Sequence, residues 1–103
     1  MIRVIYNCQI PASVSIGKPA HFGHGMNIVI GKNTKMGNYI NITHNVTIAA
    51  HTTIGDNFFI GPNAIIINPV TIGNNVMVGA NTVVTKDIPN NKKLIGDKYY
   101  ENI

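Results

Sequence analysis

The sequence predicts an all-β chain, a parallel β-solenoid built from six-residue repeats. An aliphatic residue returns every six positions from Ile30 to Val84, and glycine often follows it, as at Gly31, Gly55 and Gly73. Because six is a multiple of two, a strand places the aliphatic residue and the residue four positions later on one inward face. A helix, with a period of 3.6, would scatter the same residues around its circumference. A short, unbroken period of this kind is typical of solenoids.

The repeat extends towards the N-terminus with one interruption. The six-residue step also joins Ile10, Ile16 and Phe22, and a two-residue insertion separates this group from Ile30. The residues four positions after the aliphatic ones are small, β-branched or apolar, and Ala20 is one of those predicted to face inward. The aliphatic positions of the unbroken part are Ile30, Met36, Ile42, Ile48, Ile54, Ile60, Ile66, Ile72, Val78 and Val84.

The pattern predicts one domain, residues 1–103, with three parts. Residues 1–9 alternate as a short strand could, and they are predicted to cap the open end of the first coil, since exposed strand edges invite aggregation. Residues 10–88 are predicted to form the coils and residues 89–103 the C-terminal tail. A narrow prism of 103 residues has only a thin core, which favours self-association.

The composition restricts the classes of partner and compartment. The net charge is +4, and residues 1–55 contain no acidic residue. This balance fits a polyanionic partner and, equally, solvated lysines that keep a repeat protein in solution. Nucleic acid is not expected, because the basic residues are spread out and are not clustered with aromatic ones. Cys8 is the only cysteine, which rules out an internal disulfide. No apolar run reaches the ~20 residues of a membrane span and no signal peptide precedes the repeats, so a cytoplasmic protein is expected.

Over residues 10–96 the repeats resemble those of the hexapeptide acyltransferases, which fold as left-handed parallel β-helices. Three features of the sequence support the resemblance. The first is the [Ile/Val]-Gly-x-x-small-x hexapeptide, and the second is His24 before the run Ile28-Val29-Ile30-Gly31. The third is Val83-Val84-Thr85-Lys86-Asp87-Ile88-Pro89, which resembles the end of the family's solenoid. The resemblance implies a single left-handed β-helix with three hexapeptides per triangular coil. The N-terminal helical domain of serine acetyltransferases is not expected here.

The same resemblance assigns catalytic residues. His24 is similar in position to the catalytic histidine of the serine and polysaccharide acetyltransferase branch, and His51 to a second active-site histidine of serine acetyltransferases. His44 stands where many relatives have glutamine. The resemblance implies that His24 is the general base, and an imidazole with an ordinary pKa of about 6.5 suits that role. The glycine-rich loop that relatives insert between the equivalents of Ile48 and Thr53 is almost absent.

Three hexapeptides per coil would place His24, His44, Pro62 and Ala80 in one column, named here the histidine column. In the family, acetyl-CoA lies in the cleft between neighbouring prisms of a trimer, so the resemblance implies a homotrimer that binds acetyl-CoA without a metal. Backbone amides can bind the pantetheine arm without particular side chains. The predicted coenzyme-binding residues are Ala49, Gly61, Pro62, Gly79 and Ala80.

The acceptor is predicted to be a hydroxyl of a saccharide rather than of serine. Residues that serine acetyltransferases use around their histidines are replaced by Gln9, Gly23 and Ala50. Two alternatives stay open. One is a non-catalytic trimeric scaffold, which the short loop and altered tail favour. The other is a zinc enzyme similar to the carbonic anhydrases of this superfamily, with His24, His44 and His51 as ligands.

Overall fold

The computed structural model describes residues 2–5, 8–22 and 27–102, which form an elongated body of 37 × 24 × 21 Å. These residues contain strands and turns, and they include no helix that could cross a membrane. The strands are β1 (Ile2–Ile5), β2 (Cys8–Pro11), β3 (Ser15–Ile16), β4 (Ala20–Phe22), β5 (Val29–Ile30), β6 (Lys35–Met36), β7 (Ile40–Ile42), β8 (Thr47–Ile48), β9 (Thr53–Ile54), β10 (Phe58–Ile60), β11 (Ile65–Ile66), β12 (Thr71–Ile72), β13 (Val76–Val78), β14 (Val83–Val84), β15 (Lys92–Ile95) and β16 (Lys98–Glu101).

The strands build three sheets, which are the faces of a triangular prism. Face 1 contains β1, β2, β5, β8, β11 and β14, face 2 contains β3, β6, β9 and β12, and face 3 contains β4, β7, β10, β13, β15 and β16. Neighbouring strands are parallel except in two terminal hairpins, β1 with β2 and β15 with β16. The chain is therefore a parallel β-helix, and the predicted fold class, the left-handed β-helix of hexapeptide repeats, is confirmed.

The strand register gives the length of each coil. Phe58 pairs with Ile40 on one side and with Val76 on the other, so the chain advances by three hexapeptides in each of these coils. The first coil is longer by two positions, because Ala20 pairs with Ile40. Since Val29 again pairs with Thr47 at the regular spacing of three hexapeptides, the inserted positions lie between β4 and β5, as the sequence indicated.

The core follows the two inward positions of each hexapeptide. The aliphatic ladder from Ile30 to Val84 is buried throughout, and so is Phe58, the largest fully buried side chain, at 1% exposure. Thr34, Thr52 and Thr82 fill inward positions of the later coils. Ala20, which the pattern predicts to face inward, is exposed. It belongs to β4, the last strand of face 3, and no further strand of that face covers it.

The corners use a left-handed backbone conformation at the third residue after most aliphatic positions. L-residues adopt this conformation at a cost, which asparagine tolerates better than most. Eight of the ten non-glycine residues with positive φ in the described chain are asparagines, and the exceptions are Tyr39 (φ 61°) and His51 (φ 62°). The recurring asparagines of the sequence therefore mark the turns of the prism.

The corner between faces 2 and 3, here the 2–3 corner, is stabilised by a ladder of side-chain acceptors. Asn38 N donates to Asp56 Oδ1 at 2.8 Å, Asp56 N to Asn74 Oδ1 at 2.7 Å, and Asn74 N to Asn90 Oδ1 at 2.6 Å. Each acceptor lies against a glycine of the preceding coil, and a Cβ on Gly55 would be 2.2 Å from Asn74 Oδ1. Glycine is therefore required here by the close approach of successive coils.

Replacing Gly55 with alanine is expected to lower the free energy of unfolding by about 1–3 kcal/mol, the usual cost of overpacking. The added methyl group would displace Asn74 Oδ1 and would also meet the Gly73 carbonyl at 2.9 Å. The measurement is a denaturant titration at fixed protein concentration. Thr53→Val, an exposed position in the same coil, is the control and should change stability by less than about 0.5 kcal/mol. Equal midpoints for the two variants would contradict the packing described for this corner.

Candidate active site

The histidine column lies at the corner between faces 3 and 1, here the 3–1 corner. His44, Pro62 and Ala80 each stand two residues after the last inward residue of a face 3 strand. Successive turns are joined by backbone hydrogen bonds, from Asn63 N to His44 O at 3.2 Å and from Asn81 N to Pro62 O at 2.9 Å. The structure therefore stacks these three residues on successive coils. His24, the predicted start of the column and the predicted general base, lies outside the described residues.

The described residues of the column include no lysine, arginine, aspartate or glutamate. His44 and Pro62 are partly buried and Ala80 is exposed. Gly61 and Gly79 precede Pro62 and Ala80 and are both buried, and a Cβ on Gly61 would be 2.7 Å from Ala80 N. Small residues thus let the coils approach closely here, and no long side chain projects from Gly61, Pro62, Gly79 or Ala80.

The backbone amides proposed as coenzyme donors are mostly engaged within the solenoid. Gly61 N donates to Val78 O and Gly79 N to Leu94 O, each at 2.8 Å, and Ala49 N donates to Ile66 O at 2.9 Å. Pro62 has no N–H. Within the described part of the chain, the N–H of Ala80 has no protein acceptor. A parallel solenoid therefore uses most of these N–H groups to join its coils, and coenzyme binding at these residues stays a prediction.

His51 and Ala49 lie at a different corner, between faces 1 and 2, here the 1–2 corner. His51 is exposed, adopts the left-handed conformation, and its N–H donates to Lys32 O at 2.9 Å. Thr52 Oγ1 donates to Ala49 O at 2.8 Å, which closes the turn without a projecting loop. Within one prism, His51 and the histidine column are therefore separated by the whole width of face 1.

Face 1, between these two corners, presents apolar side chains to the outside. Val29, Ile65 and Val83 point outward from strands of this face and are 39%, 37% and 51% exposed, and Ile67 beside them is 51% exposed. The outward residue of β8, between Val29 and Ile65, is the polar Thr47. The equivalent outward residues of face 2 include Ser15, Lys35, Thr53 and Thr71, which are polar. A mainly apolar exposed face is typical of an interaction surface.

The described histidines do not form a metal site within one chain. His44 and His51 lie at the two ends of face 1, and in the part of the chain that the structure describes no three histidine, cysteine, aspartate or glutamate side chains are close enough to hold a metal ion.

Comparisons with known proteins agree with this architecture. The family model "Bacterial transferase hexapeptide (six repeats)" matches residues 51–86. Soybean serine acetyltransferase is 31% identical to the chain, with a TM-score of 0.84, and the match covers 92% of this chain and 43% of that protein. The chain belongs to the hexapeptide-repeat transferase family. A search of curated protein sequences finds no match of comparable significance.

Two further members of the hexapeptide-repeat transferase family resemble the chain. Serine acetyltransferase isoform 3 of Entamoeba histolytica, solved with cysteine, is 34% identical with a TM-score of 0.81, and the match covers 88% of this chain and 34% of that protein. A hexapeptide-repeat acetyltransferase of Vibrio cholerae shares the fold, at 24% identity and a TM-score of 0.76, over 91% of this chain and 64% of that one. The chain thus spans less than half the length of the serine acetyltransferases that it matches.

Proposed function

We propose that the chain is an acetyl-CoA-dependent O-acetyltransferase that acetylates a hydroxyl of a small acceptor, a saccharide rather than serine. The observation that carries the proposal is the stack of His44, Pro62 and Ala80 along the 3–1 corner, which has no carboxylate, lysine or arginine. The chain that carries this stack is 31% identical to a serine acetyltransferase over 92% of the present chain. A long, thin coenzyme arm fits along such a stack. The basic excess of the chain, +4 overall, suits the coenzyme phosphates.

The proposed reaction is a direct transfer with His24 as general base. The imidazole takes the proton of the acceptor hydroxyl while the acceptor oxygen attacks the thioester carbonyl carbon. Collapse of the tetrahedral intermediate breaks the C–S bond, and the imidazolium returns the proton to the departing sulfur. A backbone N–H beside the carbonyl would stabilise the oxyanion. The Ala80 N–H, which has no acceptor in the described chain, is available to the coenzyme arm.

A threefold assembly would complete this site. If face 1 of each prism points to the threefold axis, the 3–1 corner of one prism meets the 1–2 corner of the next, because rotation preserves the order of the faces. The histidine column of one subunit then faces His51 and Ala49 of its neighbour. The assembly would also cover Val29, Ile65, Ile67 and Val83, which are exposed in the single chain.

Ile65→Asp is expected to convert the trimer to monomers at micromolar concentration, because a carboxylate would have to lose its water against a mainly apolar face. Light scattering after size exclusion measures the mass against 11.2 kDa per chain. The control is Thr53→Asp on face 2, which should stay trimeric, and circular dichroism shows whether each variant is folded. A wild-type mass of one chain, or a trimer that survives Ile65→Asp, would exclude face 1 as the interface.

Acetyl transfer itself is tested with purified protein and acetyl-CoA, by following the free thiol of released coenzyme A. Saccharides with free hydroxyls and L-serine are compared as acceptors, and saccharide-dependent release faster than serine-dependent release is expected. Faster release with serine would reject the acceptor class and retain the transferase. No release above the acceptor-free rate with either class would favour the second candidate, a trimeric scaffold, which the closed turn at residues 49–52 supports.

A further inference from the structure

A groove crosses the 2–3 corner and face 3 at the N-terminal half of the prism, away from the histidine column. Its volume is about 310 Å³, and its outer lining consists of Pro19, His21, Tyr39, Asn41, Asn57 and Phe59. Face 1 lies opposite this corner, so the trimer proposed above would leave the groove open. We propose that it binds a neutral saccharide chain at a site separate from the histidine column and so holds the polymer that is acetylated. This inference rests on the proposed saccharide acetyltransferase and names a second binding site for its acceptor.

Tyr39 departs from the asparagine pattern of the corners. Asparagine occupies eight of the ten non-glycine positions with positive φ in the described chain, whereas Tyr39 occupies such a position at φ 61° with 64% of its surface exposed. A bulky side chain raises the cost of this backbone conformation. Packing in the core does not offset that cost, because the ring lies at the surface. A residue that is strained and exposed in this way is a reason to infer function.

The outward residues of face 3 continue the groove along the prism. His21, Asn41 and Phe59 are paired in register on β4, β7 and β10, and all three point outward from face 3. Adjacent strands are separated by about 4.8 Å, close to the length that one pyranose ring adds to a glycan. Aromatic faces pack against the C–H face of a pyranose, and successive sugar rings could therefore follow successive strands.

The polar groups of the groove suit hydroxyls. Asn57 Nδ2 donates to Asn75 Oδ1 at 3.0 Å, and its own Oδ1 has no protein donor among the described residues. The Asn41 amide, which is exposed, likewise has no protein partner within that part of the chain. Amides offer both donors and acceptors, as hydroxyl groups require. None of the groove-lining residues is a lysine, arginine, aspartate or glutamate, which favours a neutral ligand over a phosphorylated one.

Tyr39→Asn separates binding from folding. An asparagine at this position would match the repeat and relax the backbone, so the melting temperature should be equal to or higher than that of the wild type. Affinity for a saccharide should fall at least tenfold. Phe59→Leu, which removes a ring but keeps an apolar side chain, should weaken binding in the same direction. Tyr100→Asn, at an exposed tyrosine of β16, is the matched control and should bind like the wild type.

The experiment titrates maltotriose, cellotriose and tri-N-acetylchitotriose against each protein without coenzyme, using calorimetry and amide NMR shifts. Binding of at least one trisaccharide that is lost in Tyr39→Asn and kept in Tyr100→Asn is expected. Absence of binding to the wild type, or equal binding by Tyr39→Asn, would overturn the inference. Loss of coenzyme A binding in Tyr39→Asn with saccharide binding intact would also overturn it, because the groove would then belong to the coenzyme.

The outcomes also separate this inference from the proposed function. Serine-dependent acetyl transfer by a protein that binds no trisaccharide would reject the saccharide groove and keep the transferase. Tyr39-dependent binding of a trisaccharide by a protein that releases no coenzyme A would keep the groove and reject the transferase.

Discussion

Replacing His24 with alanine is expected to lower the rate of acetyl transfer by about 10²- to 10⁴-fold, the usual contribution of a general base. The loss should appear in kcat, because the imidazole acts on the proton that moves as the acceptor oxygen attacks. Coenzyme A affinity should stay nearly unchanged, since the coenzyme arm is proposed to lie along Pro62 and Ala80 of the later coils. Steady-state release of coenzyme A, together with a coenzyme titration, measures both quantities.

The control for this prediction is His51→Ala at the 1–2 corner. This variant should mainly raise the KM of the acceptor, because His51 is proposed to reach the site from the neighbouring subunit. Full activity of His24→Ala would show that the base is elsewhere and that the alignment across the two-residue insertion is wrong.

Replacing Ala80 with phenylalanine is expected to weaken coenzyme A binding at least tenfold, or by about 1.4 kcal/mol or more. Ala80 is exposed at the 3–1 corner, so a large side chain would point away from the core and fill the strip on which the coenzyme arm is proposed to lie. The fold and the trimer should be retained. Calorimetric titration of coenzyme A measures the affinity, and circular dichroism with light scattering verifies the assembly.

The matched control for Ala80→Phe is Thr53→Phe on face 2. Thr53 is exposed on a strand, where an aromatic residue is well tolerated. Asn74, which has the same place in its hexapeptide at the 2–3 corner, is unsuitable, because its Oδ1 accepts the Asp56 N–H. Equal affinity in the Ala80 and Thr53 variants would remove the coenzyme from the histidine column.

The fold could be predicted from the sequence because the period is set by local geometry. Each hexapeptide contributes two inward residues and one corner, and so the aliphatic residues and the asparagines recur together. The position of the insertion also followed from counting, since the longer first coil offsets the pairing of both β3 with β6 and β4 with β7 by the same amount. Ala20 was the exception, because its burial depends on a covering strand that a repeat pattern alone does not specify.

The sequence predicted which residues stack at the candidate site but not which of their backbone N–H groups are already hydrogen-bonded. The stacking of His44, Pro62 and Ala80 follows from three hexapeptides per coil. The engagement of the Gly61 and Gly79 amides between coils does not show in the residue types, because every non-proline backbone unit offers the same N–H. The Tyr39 groove was missed for a different reason. Tyr39 breaks the asparagine pattern of the corners, and that signal is visible only after the corner position is known to require a left-handed backbone.

The zinc alternative requires histidines of two neighbouring subunits to bind one metal ion. In a trimer with face 1 inward, His44 of one subunit and His51 of the next would lie at neighbouring corners, where a shared metal would be held by neutral imidazoles. Metal analysis of the purified protein decides between this arrangement and the transferase. Stoichiometric zinc that disappears in His24→Ala and His44→Ala would replace the acetyl-CoA site.

The central claim, that this β-helix binds acetyl-CoA along the histidine column, is tested most directly by thermal unfolding of the wild-type protein with coenzyme A. A ligand that binds only the folded state stabilises it by mass action, by about 2.7 kcal/mol at one hundred times its Kd. We predict a melting temperature that rises continuously with coenzyme concentration and a response that is lost in Ala80→Phe. A melting temperature that does not change up to millimolar coenzyme A would contradict the account and favour a scaffold.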